Sequence, residues 1–321
     1  MRIYHIIDHN GFGSIHKLLI PLCEKYSNNI LYTPYLKDYR LTKEVLKKIN
    51  NDKNSIVIIH STGRDKTIYI DELDKYFDNK KVFIFMHVSI DYEVFKKRKN
   101  FIARLYNICK EKNISILTPS KEVTNQYLKY GFDAKTIQIG IKNLNSDYYR
   151  KNIKRLEKYY NKFVTVCASE SPAYYDAKGI ANFIKLAKKE KITNNILVAG
   201  INSYVKQNND VFMKKFNEKD FLNVLYHSKA YIQLSIFESY NITAIQSKRF
   251  KIPTILLNAE GNESCMIGNT FRNINEIRHK IREINNNLID NKKIIELYND
   301  SIIRESLGRF NSDLIKMIKE V

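Results

Sequence analysis

Short apolar runs rich in isoleucine and valine, alternating with stretches of helical spacing, constrain this chain more than any other feature. Runs at 3–7, 56–60, 82–87, 114–118 and 136–139 occupy the first half, and runs at 163–168, 195–200, 230–235 and 253–258 the second. Many are apolar on both faces, the signature of strands in a parallel sheet covered by helices. Between them lie helical stripes. One comprises Ile15, Leu18, Leu19, Leu22, Cys23 and Tyr26, with Ser14 placed to cap it and Pro21 inside it. Another comprises Ile180, Phe183, Ile184 and Ala187. Alternation of strand and helix in both halves predicts an α/β chain of two doubly wound domains, 1–150 and 151–321, joined by the polar, lysine-rich stretch 143–161.

A length of 321 residues suits two domains, and 44% hydrophobic residues supply two cores. No run of 18 apolar residues is present, and residues 1–8 read as a buried first strand rather than a signal peptide. The cysteines, Cys23, Cys109, Cys167 and Cys265, are far apart, which argues against a zinc site or a disulfide framework and points to a reducing cytoplasm. The formal charge is +20, with the larger excess in the first half. Such a surface attracts polyanions, yet no nucleic-acid module is visible and no nucleic-acid partner is expected. Lys96–Lys99 leads into a stripe of Ile102, Leu105, Tyr106 and Cys109, which reads either as a helix packed on the sheet or as a peripheral contact with an anionic membrane.

Some segments carry chemistry. Asn10-Gly-Phe-Gly-Ser14 follows the first strand and opens the first helix, so Gly11, Phe12 and Gly13 bring backbone close to a phosphate-favouring helix start. His60 and His87 end apolar runs, where ligands bind in open α/β sheets, and each has the chemistry to donate to a hydroxyl or phosphate oxygen. The most informative segment runs from Leu234 to Leu256. There a strand ends near Glu238, a loop of Ser239, Tyr240 and Asn241 follows, a helix begins near Ile242, Gln246 lies two turns along, and Pro253 opens the next strand.

This last segment resembles the E-x7-E region of retaining GT-B glycosyltransferases, in particular glycosyltransferase family 4. Ser235 and Glu238 match the pattern, Ser239-Tyr240-Asn241 stands for its Gly-aromatic-Gly loop, Gln246 for its second glutamate, and Ile252-Pro253 for its end. Thr118-Pro-Ser120-Lys-Glu122 resembles the family's V-S-E element, Lys178-Gly179 its K-G element, Asn258–Glu263 its Gly-Gly-x-x-Glu loop, and 304–321 its closing helix. The departures are Gln246 for glutamate, Asn241 for glycine, and no arginine between Val166 and Lys178. Glutamine keeps an acceptor oxygen but loses charge assistance, worth about 1 kcal/mol.

The resemblance implies two Rossmann-like domains facing each other across a cleft. The first would take a glycan, lipid-linked or protein acceptor and the second a nucleotide-sugar donor. It implies a retaining transfer, with no cofactor beyond the donor. No strict D-x-D is present, and Asp91-Tyr-Glu93, the nearest approach, reads as a helix start, so no metal is expected to be required and basic groups are expected to neutralise the diphosphate. Catalytic roles fall to His87 and Glu238. Donor binding falls to Gly11, Phe12, Gly13, Lys178, Ser239, Tyr240, Asn241, Ile242 and Gln246. The departures leave open a different class, a non-catalytic GT-B subunit or glycan-binding partner of another transferase.

Overall fold

The structure is a computed structural model and describes residues 1–7, 14–32, 41–61, 77, 80–95, 97–167, 177–200, 212–259, 261–266 and 270–320. The chain divides into two compact units, Met1–Lys142 with Glu305–Val321, and Asn143–Arg304. The division thus falls at Lys142 rather than at 150, and the closing helix belongs to the first unit rather than the second.

The first unit holds a six-stranded parallel sheet in the order β2-β1-β3-β4-β5-β6. Its strands are β1 Arg2–Ile7, β2 Asn29–Tyr32, β3 Ser55–Ser61, β4 Lys81–Met86, β5 Ile116–Thr118 and β6 Ala134–Thr136. The alternation of side chains along a strand decides the layers. Tyr4, Ile6, Val57, Ile59, Ile84 and Met86 face one way and pack with Ile49, Phe101, Ile102, Leu105 and Tyr127 from helices. Ile3, His5, Ile7, Ile56, Ile58, His60, Phe83 and Phe85 are equally buried and belong to the opposite face. The helix Ser14–Lys25, which runs through Pro21, packs with the C-terminal helix Leu307–Lys319 in this unit. Ile102, Leu105 and Cys109 of the helix Lys99–Glu111 lie in the core, so the apolar stripe that follows the basic run is committed to packing.

The second unit holds a five-stranded parallel sheet in the order β11-β10-β7-β8-β9. Its strands are β7 Phe163–Cys167, β8 Ile196–Gly200, β9 Phe212–Lys215, β10 Ala230–Gln233 and β11 Thr254–Leu256. The chain starts in the middle at β7, moves out to β9, then returns to lay β10 against the other side of β7. This reversal is the topological switch point, beyond whose strand ends ligands bind in open α/β sheets. Phe163, Ile196, Val198, Ile232 and Ile255 pack against Ile180, Phe183 and Ile184 of the helix Ile180–Lys189 and Ile277 and Ile281 of the helix Ile274–Asn285. Glu190 clamps these helices, accepting from Arg278 Nε and Arg282 Nε, each at 2.6 Å. Among the described residues no helix is long and apolar enough to cross a membrane.

Candidate functional site

In the second unit three segments converge at the switch point. The first is Ala177-Lys178-Gly179. Gly179 adopts φ +67°, and a Cβ there would fall onto the carbonyl oxygen of Leu234, far inside contact distance. The close approach is locked by Ile236 N donating to Ala177 O at 2.9 Å and Gln233 Nε2 donating to Lys178 O at 3.3 Å. Only glycine allows both the left-handed backbone and this contact.

The second segment leaves β10. Lys178 Nζ donates to Glu238 Oε2, and Ser235 Oγ donates to the same oxygen at 3.5 Å. Both members of the ion pair are largely covered, with side chains 16% and 12% exposed. A polar chain supports them from below: Tyr231 OH donates to Gln233 Oε1 at 2.8 Å, and Gln233 Nε2 donates to Ser235 Oγ at 2.6 Å. Burial holds the Tyr231 phenol protonated far above its ordinary range, and the nearby Glu238 carboxylate adds to this.

Beyond the loop of Ser239 and Tyr240, Asn241 caps the helix Ile242–Arg249, its Oδ1 accepting from Ala244 N at 3.0 Å. Ile242 is therefore the first helical residue, as its sequence position predicts. Gln246 is half-buried in the second turn. The third segment begins at Gly261, whose N donates to Glu238 O at 2.6 Å and whose Cβ, if present, would fall onto Ser239 O. Asn262 Oδ1 accepts from Asn241 Nδ2 at 3.2 Å, and the thiol sulfur of Cys265 accepts from Asn241 N at 3.2 Å. The arrangement holds a cation, a carboxylate and a helix N-terminus on a backbone that two glycines pin in place, a layout suited to an anion with hydroxyls attached.

Lys178, Glu238, Ser239, Tyr240, Asn241 and Ile242 thus lie along one connected stretch of hydrogen bonds and backbone. Gly11, Phe12 and Gly13 lie outside the described residues. Asn262 lies in the segment Asn258–Glu263 that the resemblance singled out, whereas sequence reasoning missed the parts played by Tyr231, Gln233 and Cys265. Gln233 carried a signal, since an amide inside a fully buried strand must find partners.

His87 belongs to the first unit, directly after β4. Its Nε2 is 2.9 Å from His60 Nδ1, and its ring stacks on Phe85 with centroids 4.5 Å apart. His60 is buried, with His5 on its other nitrogen at 2.9 Å. The strand-end histidine His60 therefore reads as a partner of His87 rather than a ligand contact. Asp91 and Glu93 lie in the short helix Ile90–Phe95, as expected of a helix start, and Glu93 is buried and bonded to Arg98 at 3.4 Å.

No protein-family model matches the sequence, and no curated protein matches it significantly. Solved structures do. HepE from Anabaena in complex with UDP superposes over all of both chains with a TM-score of 0.72 at 13% identity. The same protein with UDP-glucose gives 0.71 at 12%. The trehalose-6-phosphate synthase OtsA gives 0.69 at 11%, covering 100% of this chain and 99% of that one. TarM gives 0.62 at 18%, covering 84% of this chain and 56% of that one. At these identities the likeness establishes the fold: GT-B, built from two Rossmann-like domains.

Proposed function

We propose that this chain is a glycosyltransferase that moves a sugar from a nucleotide-sugar donor to a glycan, lipid-linked or protein acceptor with retention of configuration. The observation that carries the proposal is the pairing of Lys178 with Glu238 at the switch point of the second sheet. UDP and UDP-glucose bound by HepE, a neighbour of the same fold, support a donor of this chemical class.

In this reading Lys178 exchanges its carboxylate partner for the donor diphosphate. The first turn of the helix Ile242–Arg249 directs its N–H dipoles toward the same negative charge. Glu238, released from Lys178, accepts hydrogen bonds from sugar hydroxyls, which become stronger as positive charge develops in an oxocarbenium-like transition state. Gln246 offers its carboxamide oxygen to a ribose hydroxyl. His87 acts on the side of the first unit, which takes the acceptor. Protein cations neutralise the leaving diphosphate, so dialysis against EDTA leaves the rate intact; loss of rate restored by magnesium or manganese would contradict the metal-independent part of the proposal. With +20 formal charge, peripheral contact with anionic lipid is consistent with a lipid-linked acceptor and a cytoplasmic location.

A thermal-shift screen of nucleotide sugars with the purified chain, followed by an assay for nucleoside diphosphate release, tests the proposal. A donor that raises the melting temperature and is turned over supports it. Binding of a glycan with no nucleotide sugar bound or consumed would favour a glycan-binding subunit instead.

A further inference from the structure

The first unit contains a line of polar side chains that crosses four adjacent strands on the face opposite its main apolar cluster. Asn29 of β2, His5 of β1, His60 of β3 and His87 after β4 are linked in that order by contacts of 2.9 Å. His5 and His60 are fully buried. Such a line needs register as well as composition: Ile7 pairs with His60 across β1 and β3, and His60 with Phe85 across β3 and β4. The His60 ring stacks on those of Phe85 and His87, with centroids 5.3 and 5.2 Å away.

The line has a direction. Asn29 Nδ2 donates to Asn311 Oδ1 of the C-terminal helix at 2.8 Å and to Asn28 Oδ1 at 3.1 Å. Its Oδ1 is therefore the atom that faces His5, and His5 Nε2 must carry the proton. A neutral imidazole has one N–H, so His5 Nδ1 accepts from His60 Nε2. By the same logic His60 Nδ1 accepts from His87 Nε2. Neutrality is favoured by burial, which lowers His5 to about 4 and His60 well below its ordinary value.

We infer that Asn29, His5 and His60, anchored by Asn311, are positioning residues that hold His87 as its Nε2–H tautomer and make its Nδ1 a hydrogen-bond acceptor. In its neutral form such a group takes a hydroxyl and gives nothing to the oxygens of a doubly esterified diphosphate, which carry no proton at neutral pH. Sequence alone left His87 able to donate to either; the relay selects hydroxyl recognition. That the hydroxyl belongs to a sugar rests on the glycosyltransferase reading, whereas the tautomer assignment does not.

Long-range 1H–15N correlation spectra of the full chain labelled with 15N-histidine, at pH 7.5, read the tautomers directly. The expected result is the Nε2–H pattern for His5, His60 and His87 together. An Nδ1–H pattern at any of the three, or an imidazolium at His5 or His60, overturns the relay. Asn29→Ala removes the group that sets direction, and His87 then shows the averaged shifts of two exchanging tautomers. His60→Phe keeps an aromatic ring beside Phe85 and gives the same averaging should Asn29→Ala fail to fold. A His87 that stays wholly Nε2–H in a folded variant overturns the positioning role. Dimethyl phosphate, a diester with no proton to donate, leaves the His87 Nδ1 resonance in place when added to the wild-type chain at pH 7.5; a saturable shift would contradict the hydroxyl preference. None of these readouts requires turnover, so failure to transfer sugar would strike the functional reading and leave the tautomers standing.

Discussion

Lys178 Nζ donates to Glu238 Oε2 and so ties the segment after β7 to the segment after β10, on the two strands between which the second sheet reverses. The pair is covered on most sides, and such a pair holds its partners strongly only while both remain. A diphosphate offers Lys178 more negative charge than one carboxylate does, so donor binding and release of Glu238 are one event in this account.

Glu238→Ala therefore removes the carboxylate that takes up sugar hydroxyls. A hydrogen bond to a charged group carries about 1.5–3 kcal/mol, so turnover falls roughly 10- to 100-fold. Glu238→Gln, which keeps one acceptor oxygen, falls less. Steady-state rates, with circular dichroism to show that the fold persists, check the order. Equal rates for wild type and Glu238→Ala remove Glu238 from the site.

Lys178→Ala weakens nucleotide binding by at least tenfold, about 1.4 kcal/mol. No arginine stands between Val166 and Lys178 to share the task. Calorimetry with the nucleotide chosen by the thermal-shift screen measures it, and equal affinity would show that the diphosphate is held elsewhere.

Gly179→Ala and Gly261→Ala drive a methyl group into the backbone carbonyls of Leu234 and Ser239, which have no side-chain freedom with which to yield. Gly179→Ala also adds left-handed backbone strain that glycine avoids. Each substitution costs about 1–3 kcal/mol and displaces Lys178 or Glu238. Chemical denaturation of the purified variants reads the stability loss; a variant as stable as wild type with full affinity would mean that the segments are not held against each other.

Much of the fold was legible because strands buried on both faces write themselves as apolar runs. The strands Ser55–Ser61 and Phe163–Cys167 fall where the runs at 56–60 and 163–168 fall. Asn29–Tyr32 and Phe212–Lys215 were missed because they are edge strands of four residues, and the second ends in two lysines. The helix Leu307–Lys319 was assigned to the second domain because its own residues do not say which core receives it; Asn311 bonding to Asn29 does. At the site, Lys178 and Glu238 were legible from local motifs. The supporting chain from Tyr231 through Gln233 to Ser235 depends on side-chain direction along one strand. The three-histidine line depends on register between strands, which no single segment records.

Stability should fall with acid below pH ~6.5. His5 and His60 are neutral in the fold because burial disfavours their charged forms, while the unfolded chain binds protons with a pKa near 6.5. Their contribution is thus present above that value and is lost as pH falls toward the folded pKa, about 4 for His5. His5 alone accounts for about 3 kcal/mol across this range. Urea unfolding at pH 7.5, 6.0 and 5.0 measures the slope, and His5→Phe should flatten it. A slope of the same size in wild type and variant would place the acid sensitivity elsewhere.

Binding of a nucleotide sugar at the switch point of the second sheet, with cleavage of its bond to the diphosphate, is read by release of nucleoside diphosphate from a panel of nucleotide sugars, wild type and Glu238→Ala side by side. Wild type releases it from at least one donor, and Glu238→Ala loses most of that release. No release from any donor, or equal release by both proteins, would contradict this role for the switch point.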